Sequence, residues 1–356
     1  MEKKKVAIAC QGGGSQTAFT AGVLSALINQ KAFDQYELVS ISGTSGGAVC
    51  ASLLWYSMLV AEADSTALSD ERLLGFWRDN STQTALERSM NDSTVALARM
   101  VGRGTLPEFQ LGPRHPLNQM TMATLQTWFP RFYDLRSLLQ AYIDFDRASS
   151  LVAADSPLLV VGAANVRTGE YRKFRSRTDA GKNEIGVDAI LASAAVPSLF
   201  PAVKVDDEYY WDGLFSDNPP TDELILNSGK KPDELWVIQI NPTCRRSVPV
   251  QPEDIQDRRN EMIGNNSLFQ DLNHILQINQ FVADGAFTDA YRQQHDLKPI
   301  DIFQIDMSAK LLESLDYPSK LNRNSAYIDR LISDGQQRIE EFLGNKESMR
   351  YQRHAC

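Results

Sequence analysis

The sequence predicts an α/β fold: a mostly parallel sheet with helices on its faces, giving three α/β/α layers. Three observations carry this. Short apolar runs alternate with stretches of helix formers along most of the 356 residues. Two glycine-rich turns, Gly12-Gly13-Gly14-Ser15 and Gly43-Thr44-Ser45-Gly46-Gly47, each join an apolar run to a helical stretch. The composition, 43% hydrophobic and 23% charged with no low-complexity tract, suffices for a large core.

Val6 to Cys10 gives a first strand over 5–11. It is only five apolar residues long before polar Gln11, whereas a secretory core needs ~7–15, so no leader is expected. A helix over 15–30 follows the first glycine turn, then a strand over 37–42 around Leu38 to Ile41. Helix 46–63 begins directly at the second turn. Its apolar stretch is interrupted by Ser52 and Ser57, which favours a buried helix over a membrane span. After a helix at 70–79 the alternation stops.

From Asn80 to Phe132 Gly, Pro, Met and Thr are frequent, and Leu106, Phe109, Leu111, Met120, Met122, Trp128 and Phe129 are scattered among them. With a helix at 132–143, this predicts a helical cap insertion over 80–145, either carrying acyl-binding surface or only covering a sheet edge. Strands at 158–165, 170–175 and 203–211 follow, with a helix at 185–195 between the last two. Helix 220–228, strand 235–241, helix 268–292, strand 300–306 and helix 324–343 complete the alternation. Residues 250–345 read as a C-terminal helical extension packed on the sheet, and 346–356 as a charged, frayed tail. No repeat or linker divides the chain, so 1–356 is read as one domain.

The net charge of −9 gives no pull toward nucleic acid. The four cysteines (Cys10, Cys50, Cys244, Cys356) form no CxxC pair. Cys10 and Cys50 lie in apolar runs, as reduced core residues of a cytoplasmic protein do. The histidines His115, His274, His295 and His354 are scattered, so no metal site and no cofactor are expected.

The second turn fits G-x-S-x-G, a strand–turn–helix elbow that exposes a serine hydroxyl as nucleophile. Ser45 then needs a base. His274 or His295 after Asp212 would give the order Ser, Asp, His, but His274 lies in a helical pattern, where a solvent-facing histidine is the default. Asp212 is better placed, at the end of the aromatic strand Glu208-Tyr-Tyr-Trp-Asp and next to Gly213. Taken alone, Asp212-Gly213 is equally a plain hairpin turn. A dinucleotide turn would need glycine at position 17, where Thr17 stands, and no G-K-[ST] follows.

Taken together, Gly12-Gly13-Gly14, Gly43-Thr-Ser45-Gly-Gly47 and Asp212-Gly213 resemble the three signature blocks of the patatin-like phospholipases. Val161-Gly-Ala-Ala-Asn165-Val-Arg-Thr-Gly169, Ala192-Ser-Ala-Ala-Val-Pro197-Ser-Leu-Phe-Pro201 and Asn218-Pro219-Pro220 resemble intervening segments of the same family, from about Lys5 to Asn241. The resemblance implies a lipid acyl hydrolase with a Ser45–Asp212 dyad and no histidine. It implies an oxyanion hole from the amides of Gly13 and Gly14, with Gly12 and Gly46 as further donors, and supporting roles for Gly43, Gly47, Gly213 and Asn218.

Its partners would be a lipid or ester substrate. Peripheral contact with a membrane would rest on exposed apolar residues of the cap. Two residues depart from the pattern. Gln16 stands where the family usually carries Arg or Lys, and Leu214 where it carries Gly or Ala. These departures leave an alternative, a patatin-fold binding or regulatory module with weak or no hydrolytic activity.

Overall fold

The structure, a computed structural model, describes residues 3–352 apart from 104, 107–115, 117–118, 121–122, 125–133, 179, 198, 227–229 and 246–247. Its strands are β1 (Lys4–Cys10), β2 (Tyr36–Thr44), β3 (Leu158–Asn165), β4 (Tyr171–Arg175), β5 (Val203–Val205), β6 (Glu208–Asp212), β7 (Glu234–Gln239) and β8 (Asp301–Asp306). They form one sheet in the order β5-β6-β3-β2-β1-β7-β8, with β4 also on β3. The central pairs are parallel, while β4 and β6 run antiparallel to β3.

The main helices are α1 (Ala18–Asn29), α2 (Gly46–Ala63), α3 (Glu71–Asn80), α4 (Ala85–Gly102), α5 (Leu135–Tyr142), α6 (Val187–Ser193), α7 (Pro252–Ala283) and α8 (Ser325–Gly344). Strand side chains alternate between two apolar layers. Val6, Ile8 and Cys10 join α1, α2 and α8 on one face. Ala7 and Ala9 join Leu268, Leu272 and Ile275 of α7 on the other. This is the three-layer arrangement. Helix α2 is long and apolar enough to span a membrane, but 72% of it is buried inside the fold, where it forms core.

The structure corrects several expected boundaries. The strand expected over 203–211 is a hairpin, because Asp206 turns with φ 53° between β5 and β6. The helix expected over 268–292 begins at Pro252, a residue suited to a first helical turn, and stops at Ala283 before Gly285 at φ 70°. Helix α4, within the expected helical cap although no helix was placed at these residues, starts at a capping box in which Thr84 and Glu87 satisfy each other's backbone. Much of the 80–145 span lies outside the described residues. Its described ends are α4, against α7 and the turn Tyr317–Leu321, and α5, against α3 and α6.

Residues 346–351 are not a frayed tail. Lys346 bonds both carboxylate oxygens of buried Glu234, and the Tyr351 amide donates to Ile302 O of β8. Charge that reads as solvated in the sequence is matched by a buried partner. Cys10 and Cys50 are free and buried, while Cys244 is disulfide-bonded.

Candidate active site

Ser45 stands between β2 and α2 with φ 56° and ψ −129°. A non-glycine residue held there stores strain of about 1–3 kcal/mol, which neighbours must hold in place. Ser193 does so. Its Oγ accepts the Ser45 amide at 2.9 Å and donates to Gly162 O at 2.6 Å, tying the elbow to β3. A side chain at Gly47 would run into Cys10 O, so the turn lies directly on β1; Gly43 and Gly46 are packed as tightly, against Gly47 and Thr17.

Asp212 reaches the serine through strand register. Thr44, the last residue of β2, pairs with Gly162, and Asp212, the last residue of β6, pairs with Ala163. Ala163 also pairs with Arg172 of β4 on the other edge of β3. β2 and β6 therefore share one edge of β3 and meet end to end, with Ser45 and Asp212 at the junction. Gly213 completes the contact, since a Cβ there would lie 2.8 Å from Gly162 O.

Asp212 is 1% exposed and Ser45 7%. Asp212 Oδ1 accepts the Leu214 amide at 2.8 Å, and Oδ2 is buried with no hydrogen-bond partner among the described residues. Burial pushes the Asp212 carboxyl up to about 7. The nearby Ser45 hydroxyl, the Leu214 amide and the Lys320 charge favour the carboxylate and oppose that rise. The hydroxyl is thus within electrostatic reach of the carboxylate without closing a hydrogen bond onto Oδ2.

The first glycine turn lies against this junction. A Cβ on Gly12 would fall 2.5 Å from Thr44 O and 2.9 Å from Ser45 Cβ. Gly14 has φ 57°. The Gly12 amide donates to Asn218 Oδ1 at 2.7 Å, so Gly12 anchors the turn and is not a free donor, contrary to one expectation. The Gly13 and Gly14 amides donate to no described residue. Asn218 Nδ2 in turn donates to Gly264 O of α7.

Gln11, fully buried, holds the base of the turn. Its Oε1 accepts the amides of Ile240 and Asn241 at 2.8 Å each, and its Nε2 donates to Asn265 Oδ1 at 2.8 Å. Gln16 is buried and donates to Ser319 Oγ at 2.9 Å. Leu214 lies beside Gly264, whose Cβ would be 3.1 Å from Leu214 Cδ1.

The flanking carboxylates Asp217, Asp222 and Asp271 bring oxygens within 4.8 Å of one another. Lys173 already sits among them, 2.6 Å from both Asp222 oxygens and 3.4 Å from Asp217 Oδ2. His274 and His295 are exposed, whereas Ser45 and Asp212 are buried. Ser193, Gln11 and Asn265 were not read as site residues. Ser193 lies inside the segment from Ala192 to Pro201 and Gln11 borders the first glycine turn, but their partners are fixed only by the sheet register.

A search of curated proteins returns no match. Among solved structures the chain is similar to VipD from Legionella pneumophila, at 12% identity and TM-score 0.39, covering 98% of this chain and 68% of that one. It is also similar to the type III effector ExoU, at 15% and 0.36, covering 97% and 54%. A third is human GIVD cytosolic phospholipase A2 in complex with methyl γ-linolenyl fluorophosphonate, at 12% and 0.42, covering 97% and 59%. This chain thus spans little more than half the length of the last two. The family model for patatin-like phospholipases matches residues 8–225, more than half of the sequence and all three glycine and aspartate blocks, and the chain belongs to that family.

Proposed function

We propose that this chain hydrolyses carboxylic esters of lipids by acyl transfer through Ser45, with Asp212 as base. One observation supports the reading above all others: β2 and β6 end against each other on β3, so a strained serine closes one strand and a buried carboxylate the other. Asp212 with a pKa of about 7 is balanced between holding and releasing a proton near neutral pH.

In the proposed reaction the Ser45 proton passes to Asp212 Oδ2 as Oγ bonds to the ester carbonyl carbon. The carbonyl oxygen becomes an oxyanion facing the Gly13 and Gly14 amides, with Gly46 at the start of α2 as a further donor. One such donor is worth about 2.7–4 kcal/mol. Collapse breaks the ester C–O bond, and the proton on Asp212 goes to the leaving alcohol. Water, deprotonated by Asp212, then attacks the acyl carbon; the bond from Ser45 Oγ to that carbon breaks, the proton on Asp212 returns to Ser45 Oγ, and the acid leaves.

The cap span 80–145 would contribute acyl-binding surface. Leu86, Leu97 and Met100 of α4 are exposed and would meet a lipid surface in a cytoplasmic setting. The test is hydrolysis of p-nitrophenyl esters of increasing chain length, wild type beside Ser45→Ala, with fluorophosphonate labelling of Ser45. Activity and labelling lost together in the variant support the reading. A wild type silent in both assays returns the chain to a binding module.

A further inference from the structure

Position 16 lacks the family's usual cation, yet a cation stands nearby from another part of the chain. Lys320 belongs to the turn Tyr317–Leu321, beyond the family-matched residues 8–225. The backbone of that turn backs the glycine loop, since a Cβ on Gly14 would fall 2.5 Å from Lys320 O. Gln16 holds the turn there through Ser319 Oγ, and Arg99 of α4 braces it through Asp316 at 2.6 Å. Lys320 Nζ donates to Asn241 Oδ1 at 2.6 Å, and the Asn241 amide is held by Gln11. A cavity of about 370 Å³ opens at this point, lined by Gln16, Asn241, Tyr317 and Lys320 with Asp257 and Glu261 of α7.

We propose that Lys320 is the cation of this active site, its ammonium stabilising the negative charge carried by Asp212 and the oxyanion in place of the basic residue absent at position 16. This rests on the Ser45–Asp212 reading. Lys320 acts as a positioning and electrostatic residue, not as a proton carrier. Among the described residues, the charged and titratable groups facing it are Asp212 at the end of β6, Asp257 and Glu261 on α7, and Tyr317, whose ring centroid lies 5.6 Å from Nζ; Arg245, paired with Glu261, Asp316, paired with Arg99, and Glu313 line the same cavity. Burial holds Lys320 down to about 8, with Glu261, Asp257 and Asp212 pulling it back up. It is therefore charged below about pH 8, while Asp212 is ionised above about 7.

The test is the pH profile of kcat/KM for p-nitrophenyl butyrate in wild type, Lys320→Arg and Lys320→Gln, each checked for its melting temperature. The wild type is expected to give a bell with its basic limb near pH 8. Lys320→Arg, with a guanidinium pKa above about 12, should push that limb out of the range measured. Lys320→Gln, which keeps a donor for Asn241 but no charge, should lower kcat/KM about ten-fold at neutral pH and move the acidic limb upward. A basic limb that persists in Lys320→Arg, or a folded Lys320→Gln with the wild-type rate and both limbs in place, overturns the role of Lys320 alone. A wild type with no hydrolysis at all overturns it together with the hydrolase reading.

Discussion

Ser45 and Asp212 each cost the fold something that the proposed chemistry would use. Ser45 occupies a strained backbone conformation, and Asp212 is a carboxyl whose ionised form the interior disfavours. Ser45→Ala should lower kcat by about 10⁴-fold or more, as loss of a nucleophile does, with the fold intact. Asp212→Asn should lower kcat by about 10²–10⁴-fold, the worth of a general base. The same substitution should also stabilise the protein at alkaline pH. The Asp212 pKa is raised on folding from 3.8 to about 7, so the penalty for its charge begins above pH 3.8 and is complete only above about 7. Melting temperatures of wild type and Asp212→Asn should therefore nearly coincide at acid pH, with the variant higher at pH 8. A variant that melts lower at alkaline pH would show that the buried carboxylate is held by more than the Leu214 amide, the Ser45 hydroxyl and the Lys320 charge.

At the scale of elements, the proposed catalysis would depend on how strand ends and the glycine turn are held. Asn218 ties the Gly12 amide to Gly264 of α7, so the donors at Gly13 and Gly14 are fixed before any substrate arrives. Asn218→Ala should lower kcat about ten- to a hundred-fold with a smaller change in KM, and cost about 1–3 kcal/mol of stability for the partners left buried and unpaired. A change confined to KM would place Asn218 in substrate binding instead. Much of this layer was legible in the sequence. β1, β3 and β7 are uninterrupted apolar runs, and the elbow is a fixed spacing of small residues around Ser45. The meeting of β2 and β6 was not legible, because it depends on the hairpin at Asp206 and on which residue of β3 each strand opposes. Lys320 was invisible for a similar reason. Its turn has no period of its own, and its contacts with Gly14 and Gln16 close across some 300 residues of chain. Helix α4 was missed through its polar content, although Thr84 and Glu87 carried a readable start signal.

At the scale of the whole molecule, the residues beyond the family match complete the sheet with β7 and β8 and cover both of its faces with α7 and α8. The segment 346–351 then fastens the end of the sheet remote from the candidate active site. Glu234 there is 0% exposed and receives Lys4 at 2.6 Å, Lys346 at 2.6 Å and the Trp236 indole N–H at 2.7 Å. The Lys346 ammonium also lies over the rings of Tyr36 and Phe303, 5.1 and 4.9 Å from their centroids. A buried carboxylate that loses one of two cations keeps its desolvation cost and part of its compensation, and breaking such a pair outright costs about 3–5 kcal/mol. Because Lys4 remains, Lys346→Met should cost less, about 1–3 kcal/mol, read as a lower denaturant midpoint at unchanged slope. Activity well below the melting temperature should be unaffected. Glu234 opens β7 opposite Val6, whereas the glycine turn follows the far end of β1 after Cys10. An unchanged midpoint would mean that the terminal segment rests on the sheet without holding it. A lowered kcat/KM at full folding would mean that the two ends of the sheet are coupled.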